Sequence, residues 1–287
     1  MASLKEVKGR IATVNNTRKI TSAMKMVASA KLHKAQTAIT NMLPYEQRLH
    51  HLLTDFLTGS DIESPYLTVR ETKRVALVVF SSNSSLCGGF NANVIKHATQ
   101  LLATYKGTSS ENILVYPVGK KVADALIKQG YAIQGDFQHM ADKPSFAEAA
   151  SLAQQLMDMF VKGEVDKVEL LYNHFKSMAT QVLTHEVYLP LQLPDSSALE
   201  EGAETDYLLE PSREELLVML LPKVLRMKLY TVLLDSNASE HAARTMAMQI
   251  ATDNADELLQ ELTLMYNKTR QQAITNELLD IVGGTMA

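Results

Sequence analysis

Between Pro222 and Gly283 the chain runs for 60 residues without a glycine or a proline. Nothing in that run stops a helix, and at about 1.5 Å per residue it spans roughly 90 Å, several times the length of an ordinary globular helix. The stretch from Pro211 to Ala287 is therefore predicted to be one helix, too long for a domain of this size to enclose. Patterns of that length usually signal a coiled coil. Apolar and small residues recur at three- and four-residue steps through Leu225, Leu229, Val232, Ser236, Ser239, Ala243, Met246, Ile250, Leu258, Leu262 and Met265, and this series reads as the seam. Ala243, Ala247, Ala251 and Ala255 stand four apart as a ridge of methyl groups suited to a closely approaching partner helix. The plainer alternative is a long amphipathic helix lying on its own domain.

A second long helix is expected from Ala2 to about Leu57, with Leu4, Val7, Ile11, Val14, Thr21, Met24, Ala28, Leu32, Ala35, Ile39 and Met42 on one stripe. Gly9 and Pro44 are its only breakers, and Pro44 is a candidate kink. Ala23, Ala28, Ala30 and Ala35 are small enough to face the alanine ridge. The two ends thus read as an antiparallel coiled coil of residues 1–58 and 207–287.

The middle, residues 73–190, has a different period. Arg74 to Phe80 and Asn112 to Val118 are β-branched apolar runs of strand length, with helical spacing from Asn91 to Tyr105 between them. Helix is expected over Lys120–Gln129 and Ser145–Val161, and strand over Ala132–Phe137, Val165–Tyr172 and Gln181–Leu189. Such alternation predicts an inserted Rossmann-like α/β domain with a mostly parallel sheet. An acidic loop at 194–206 leads into the last helix.

Charge is distributed unevenly. Residues 1–40 carry eight basic side chains against Glu6 alone, whereas the remainder carries 20 basic against 31 acidic, for a net −4. The first helix is built to meet something acidic: nucleic acid, anionic lipid or an acidic protein loop, unless it is merely a solvated face. The lone Cys87 excludes an internal disulfide and a cysteine zinc cluster and fits a reducing compartment. No run of 18 apolar residues and no apolar leader occurs, so a soluble, non-exported protein is expected.

Catalytic and cofactor motifs fail one by one. The loop 81–93, SSNSSLCGGFNAN, follows a strand and precedes a helix, where a phosphate loop would lie, but it lacks both G-x-G-x-x-G and G-x-x-x-x-G-K-[ST]. Gly119, Lys120 and Lys121 could attract an anion but have no accompanying element. No H-E-x-x-H pair exists, His50 and His51 point to different faces, and Asp253, Asp256, Glu257 and Glu261 lack the glycine of a calcium loop. No catalytic residue, cofactor or metal site is expected.

Three segments are specific: NTRKITSAMKMVASAKLHKAQ at 16–36, LCGGFNANV at 86–94 and the long run from Ala238 to Gly284. Together they closely resemble the γ subunit of bacterial F-type ATP synthases. The resemblance implies a rotary shaft inside a ring of three α and three β subunits, with its foot on the c-ring and on ε, doing no bond chemistry itself. It implies that Lys19, Met24, Lys25 and Lys31 face an acidic loop of β, that Arg244 and Gln271 hydrogen-bond a β loop with Thr275 and Glu277 nearby, and that Asn91 and Tyr207 touch the c-ring. It also implies a peripheral place on the cytoplasmic face of the cell inner membrane, meeting the membrane only through the c-ring. Where the family usually has Asp, a basic residue and Gly before L-C-G-G, this chain has Asn83, Ser84 and Ser85. No cysteine-pair insertion of the chloroplast kind is present, and no transit peptide precedes the first helix. The competing functions are a coiled-coil scaffold or nucleic-acid-binding protein, which must explain a basic helix without aromatic residues from Met1 to Met42, and a dinucleotide enzyme, which lacks its fingerprint.

Overall fold

The computed structural model describes residues 3–57, 64–105, 112–191, 210 and 212–285. Helix α1 runs over Leu4–Leu57, and the domain follows as β1 (Val75–Phe80), α2 (Phe90–Thr104), β2 (Ile113–Val118), α3 (Lys120–Lys128), α4 (Gln138–Asp142), α5 (Phe146–Val161), β3 (Lys167–Phe175) and β4 (Gln181–Leu189). The last element, α6, is a single helix over Arg213–Thr285. Its 73 residues correspond to about 110 Å. Pro44 and Pro222 are both accommodated inside helices.

The sheet order is β2-β1-β3-β4, with β1 parallel to both neighbours and β4 antiparallel to β3. Alternation on β1 builds two cores. Ala76, Val78 and Phe80 point to the face covered by α5 and α6, and Leu77 and Val79 to the face covered by α2 and α3. On that second face, beside Leu77 of β1 and two residues before Leu171 on its own strand, lies Glu169, wholly buried, its carboxylate held by Lys167 Nζ at 2.6 Å, Tyr105 Oη at 2.8 Å and His185 Nε2 at 3.1 Å. These partners outweigh burial and keep it below the usual carboxylate range. The expected strand over Ala132–Phe137 reduces to one bridge, Ile133 to Val115, and is followed by the short helix α4.

Both readings of α6 hold, over different stretches. Leu217 and Leu221 pack with Leu53 and Phe56 at the end of α1, and Leu225, Leu229, Val232 and Leu233 complete the core of the α/β domain. Higher up, Ala238 and Ala242 meet Leu32 and Ala35 of α1. Beyond that the two helices run as an antiparallel pair: as the α1 partner rises from Arg18 to Thr21 to Lys25, the α6 partner falls from Asp256 to Thr252 to Gln249.

This pairing corrects the expected seam. Ala243, Met246 and Ile250 do not face α1; they line a groove of about 420 Å³ against Cys87–Phe90 and the β3–β4 turn, and Ile250 is 52% exposed. Leu258 and Met265 are likewise exposed, whereas Leu262 is buried. Of the alanine ridge only Ala255 is buried, and on α1 Ala28 and Ala35 are buried while Ala23 and Ala30 are open. The reason is chemical: Arg18, Thr21, Lys25, Gln249, Thr252 and Asp256 share the contact line with buried Ala28, Met248, Ala255 and Leu262, so a series drawn mainly on hydrophobic residues drifts off it.

Candidate functional site

The described residues divide the surface into a collar, where the domain grips α6, and a rod above it. The collar begins at the loop after β1. Asn91, the first-turn residue of α2, accepts from Ser82 N at 3.1 Å and donates to Ser84 O at 3.3 Å and Cys87 Sγ at 3.1 Å. Its amide is therefore committed to folding the loop. Leu86 stands at φ 69°, a conformation costly for a side chain-bearing residue, and Gly88 at φ 59° completes the turn.

The amides at the start of α3 are also consumed. Lys120 N donates to Asn83 Oδ1 at 2.8 Å, Lys121 N to Ser82 O at 3.1 Å and Val122 N to Ser81 Oγ at 3.2 Å. Gly119, at φ 113°, has no room for a Cβ, which would fall 2.2 Å from Ser81 O. The place where a phosphate would sit is filled by the chain's own loop.

Opposite that loop, α6 presents polar residues. Asp235 accepts from Phe175 N at 2.7 Å and pairs with His174 Nδ1 at 2.5 Å; Asn237 donates to Ala141 O and Ser239 to Asn173 O, each at 2.8 Å. Arg244 donates to Glu240 Oε1 at 2.7 Å, to Ser84 Oγ at 2.9 Å and to the carbonyl of Ser85. Burial raises the Glu240 carboxyl and Arg244 pulls it back. Burial, with Lys31 and Arg244 adding to it, pushes His241 down to about 4, so its ring is neutral at pH 7.

Along the rod, Lys25 donates to Gln249 Oε1, and Gln249 in turn donates to Asp253 Oδ1 at 2.7 Å. Arg18 pairs with Asp256 at 2.9 Å. Lys19 and Lys31 are exposed and Met24 is half-buried, but the three lysines do not form one stripe: steps of six residues turn about 240° each, so they lie on three sides of α1. By the register above, the first residues of α1 lie opposite about residue 270 of α6. Gln271, Thr275 and Glu277 are thus exposed on a tip of α6 that has outrun its partner, with only Thr275 Oγ1 turned back to Gln271 O. Tyr207 lies outside the described residues.

No group of His, Cys, Asp or Glu that could hold a metal occurs among the described residues, and no described helix is long and apolar enough to cross a membrane.

A family model described as ATP synthase matches residues 3–287. The ATP synthase gamma chain of Phocaeicola vulgatus is 69% identical over the full length of both chains, and that of Bacteroides fragilis is 61% identical, again over both whole chains. The chain belongs to the family of ATP synthase gamma chains. It is thus a structural subunit rather than a catalytic one. A chain in the cryo-EM structure of Euglena gracilis mitochondrial ATP synthase, OSCP/F1/c-ring, shares the fold at a TM-score of 0.68 and 22% identity, covering 99% of this chain and 93% of that one. A chain from the central stalk/c-ring of the Tetrahymena thermophila enzyme does so at 0.56 and 23%, covering 81% and 99%.

Sequence reasoning missed Glu240, His241 and Glu169. Glu169 had a signal, the carboxylate inside the apolar run VELLY at 168–172; Glu240 and His241 had none, since a charged residue on a long helix ordinarily faces water.

Proposed function

We infer that the chain is the central rotating shaft of an F-type ATP synthase, coupling ion flow through a c-ring to ATP synthesis or hydrolysis at β-subunit sites. The observation that carries this is the rod: two antiparallel helices cross-bridged by Arg18–Asp256, Thr21–Thr252 and Lys25–Gln249, continuing past the domain into a lone helix tip. Such a rod fits a sleeve of three α and three β subunits. Lys19, Met24, Lys25 and Lys31, spread over different sides of α1, then meet acidic loops of the surrounding β subunits, and Gln271, Thr275 and Glu277 meet β near the tip. The foot, below the packing of Leu53 and Phe56 on Leu217 and Leu221, rests on ε and the c-ring at the cytoplasmic face of the inner membrane, a contact that the resemblance assigns to Tyr207 and Asn91, although the loop that holds Asn91 lies at the height of Arg244. Residues 1–58 and 207–287 act as the shaft and 73–190 as the coupling domain, with α6 spanning both.

The test uses membranes stripped of the extrinsic subunits and rebuilt from α, β and ε with or without this chain. ATP-driven ion uptake that requires the chain is expected; equal uptake without it would contradict the reading.

A further inference from the structure

The domain grips α6 at two heights. The lower grip is apolar and ends in the polar contacts of Asp235, Asn237 and Ser239. The upper one is Arg244, the highest α6 residue that hydrogen-bonds the domain among the described residues. The lower grip, from Leu225 to Ser239, covers about 21 Å of the helix, and Arg244 lies about 8 Å above it, at the edge where the rod leaves the domain. The upper contact fixes the crest of the domain to the helix at that edge.

The upper grip has the features of a built clamp. Arg244 is only 8% exposed and Glu240 7%, yet the Ser84–Leu86 crest that Arg244 holds is exposed. Leu86 on that crest keeps its positive φ, and such strain persists only where neighbours over-determine it. Glu240, one turn below, receives the same guanidinium and fixes its direction. Ser84 contributes a neutral acceptor, so the cation meets no like charge there.

We propose that Arg244 is the upper of two clamps by which the α/β domain holds α6, with Glu240 as its positioning residue and the Ser84–Ser85 crest as its socket, so that domain and shaft turn as one body. The proposal rests on the rotor reading. Two variants of the full chain test it: Arg244→Gln, which removes the charge, and Ser84→Lys, which sets a second cation against it. Hydrogen exchange of the amides at 82–89 is expected to speed up by at least about tenfold, since hydrogen bonds to charged groups are the strong ones, with β1 to β3 unchanged and Arg244→Lys intermediate. In rebuilt membranes, ion uptake per ATP hydrolysed is expected to fall in the same order. Unchanged exchange in Arg244→Gln overturns the clamp, and so does loosened exchange with undiminished uptake per ATP; in that second case the rotor reading stands. Failure of the unaltered chain to support uptake overturns the rotor reading instead, leaving the exchange result to decide the clamp.

Discussion

Thr21 and Thr252 place their hydroxyl oxygens 2.8 Å apart across the helix pair, 231 residues apart in sequence. Arg18 O lies within reach of the Thr21 hydroxyl and Met248 O within reach of the Thr252 hydroxyl; with one proton each, one threonine donates across the pair while the other accepts and donates to its own helix. A polar pair at the seam between two slender helices fixes register at a cost in stability, as a buried polar residue does in coiled coils. Removing one member leaves the other short of a partner.

We therefore expect Thr21→Val or Thr252→Val alone to destabilise the helix pair by about 1 kcal/mol, and the double Val variant to cost less than the sum. A double-mutant cycle by denaturant unfolding checks this. Strict additivity would mean that the two hydroxyls do not interact.

The corrected contact line makes a second prediction. Ala242 is fully buried against Leu32 and Ala35, whereas Ile250 is half-exposed. Ala242→Leu should cost about 1–3 kcal/mol through overpacking, and Ile250→Ala less than about 0.5 kcal/mol in the isolated chain. Thermal unfolding distinguishes the two lines: a large loss at Ile250 with none at Ala242 would restore the hydrophobic series as the seam.

The fold was largely legible because its signals are local. Sixty residues without Gly or Pro announce α6, and β-branched runs announce β1 and β2. The run at Ala132–Phe137 misled because it is a short stretch between two helical patterns with Ile133 and Phe137 at strand-compatible spacing, while the chain there only crosses to α4. The site was less legible. Arg244, matched by resemblance to a β-contacting residue, has its guanidinium engaged by Glu240, Ser84 and Ser85, and Asn91, matched to a c-ring contact, has its amide engaged by its own loop. The Arg244 bonds to Ser84 and Ser85 join residues about 160 positions apart, which no local pattern encodes.

His241 gives a pH prediction. Its folded value of about 4 lies below the ordinary 6.5, so the unfolded chain binds the proton first as pH falls. Stability is fully present above 6.5 and is lost on acidification toward 4, at up to roughly 1.4 kcal/mol per pH unit. Glu240, raised by burial, acts with the opposite sign and is present in both proteins compared. His241→Gln should therefore lose stability less steeply than the unaltered chain across that window, measured by denaturant unfolding; parallel curves would show that the ring titrates freely when folded.

Rotation is the central claim, and it can be watched. Cys87 is the only cysteine and is buried, so Lys128→Cys on the exposed side of α3 provides one attachment point on the domain. With α and β fixed to a surface and a bead on that cysteine, ATP should drive the bead round in one direction, pausing at three positions per turn to match three β subunits. A bead that only fluctuates about a fixed angle while the same complexes hydrolyse ATP would contradict the account.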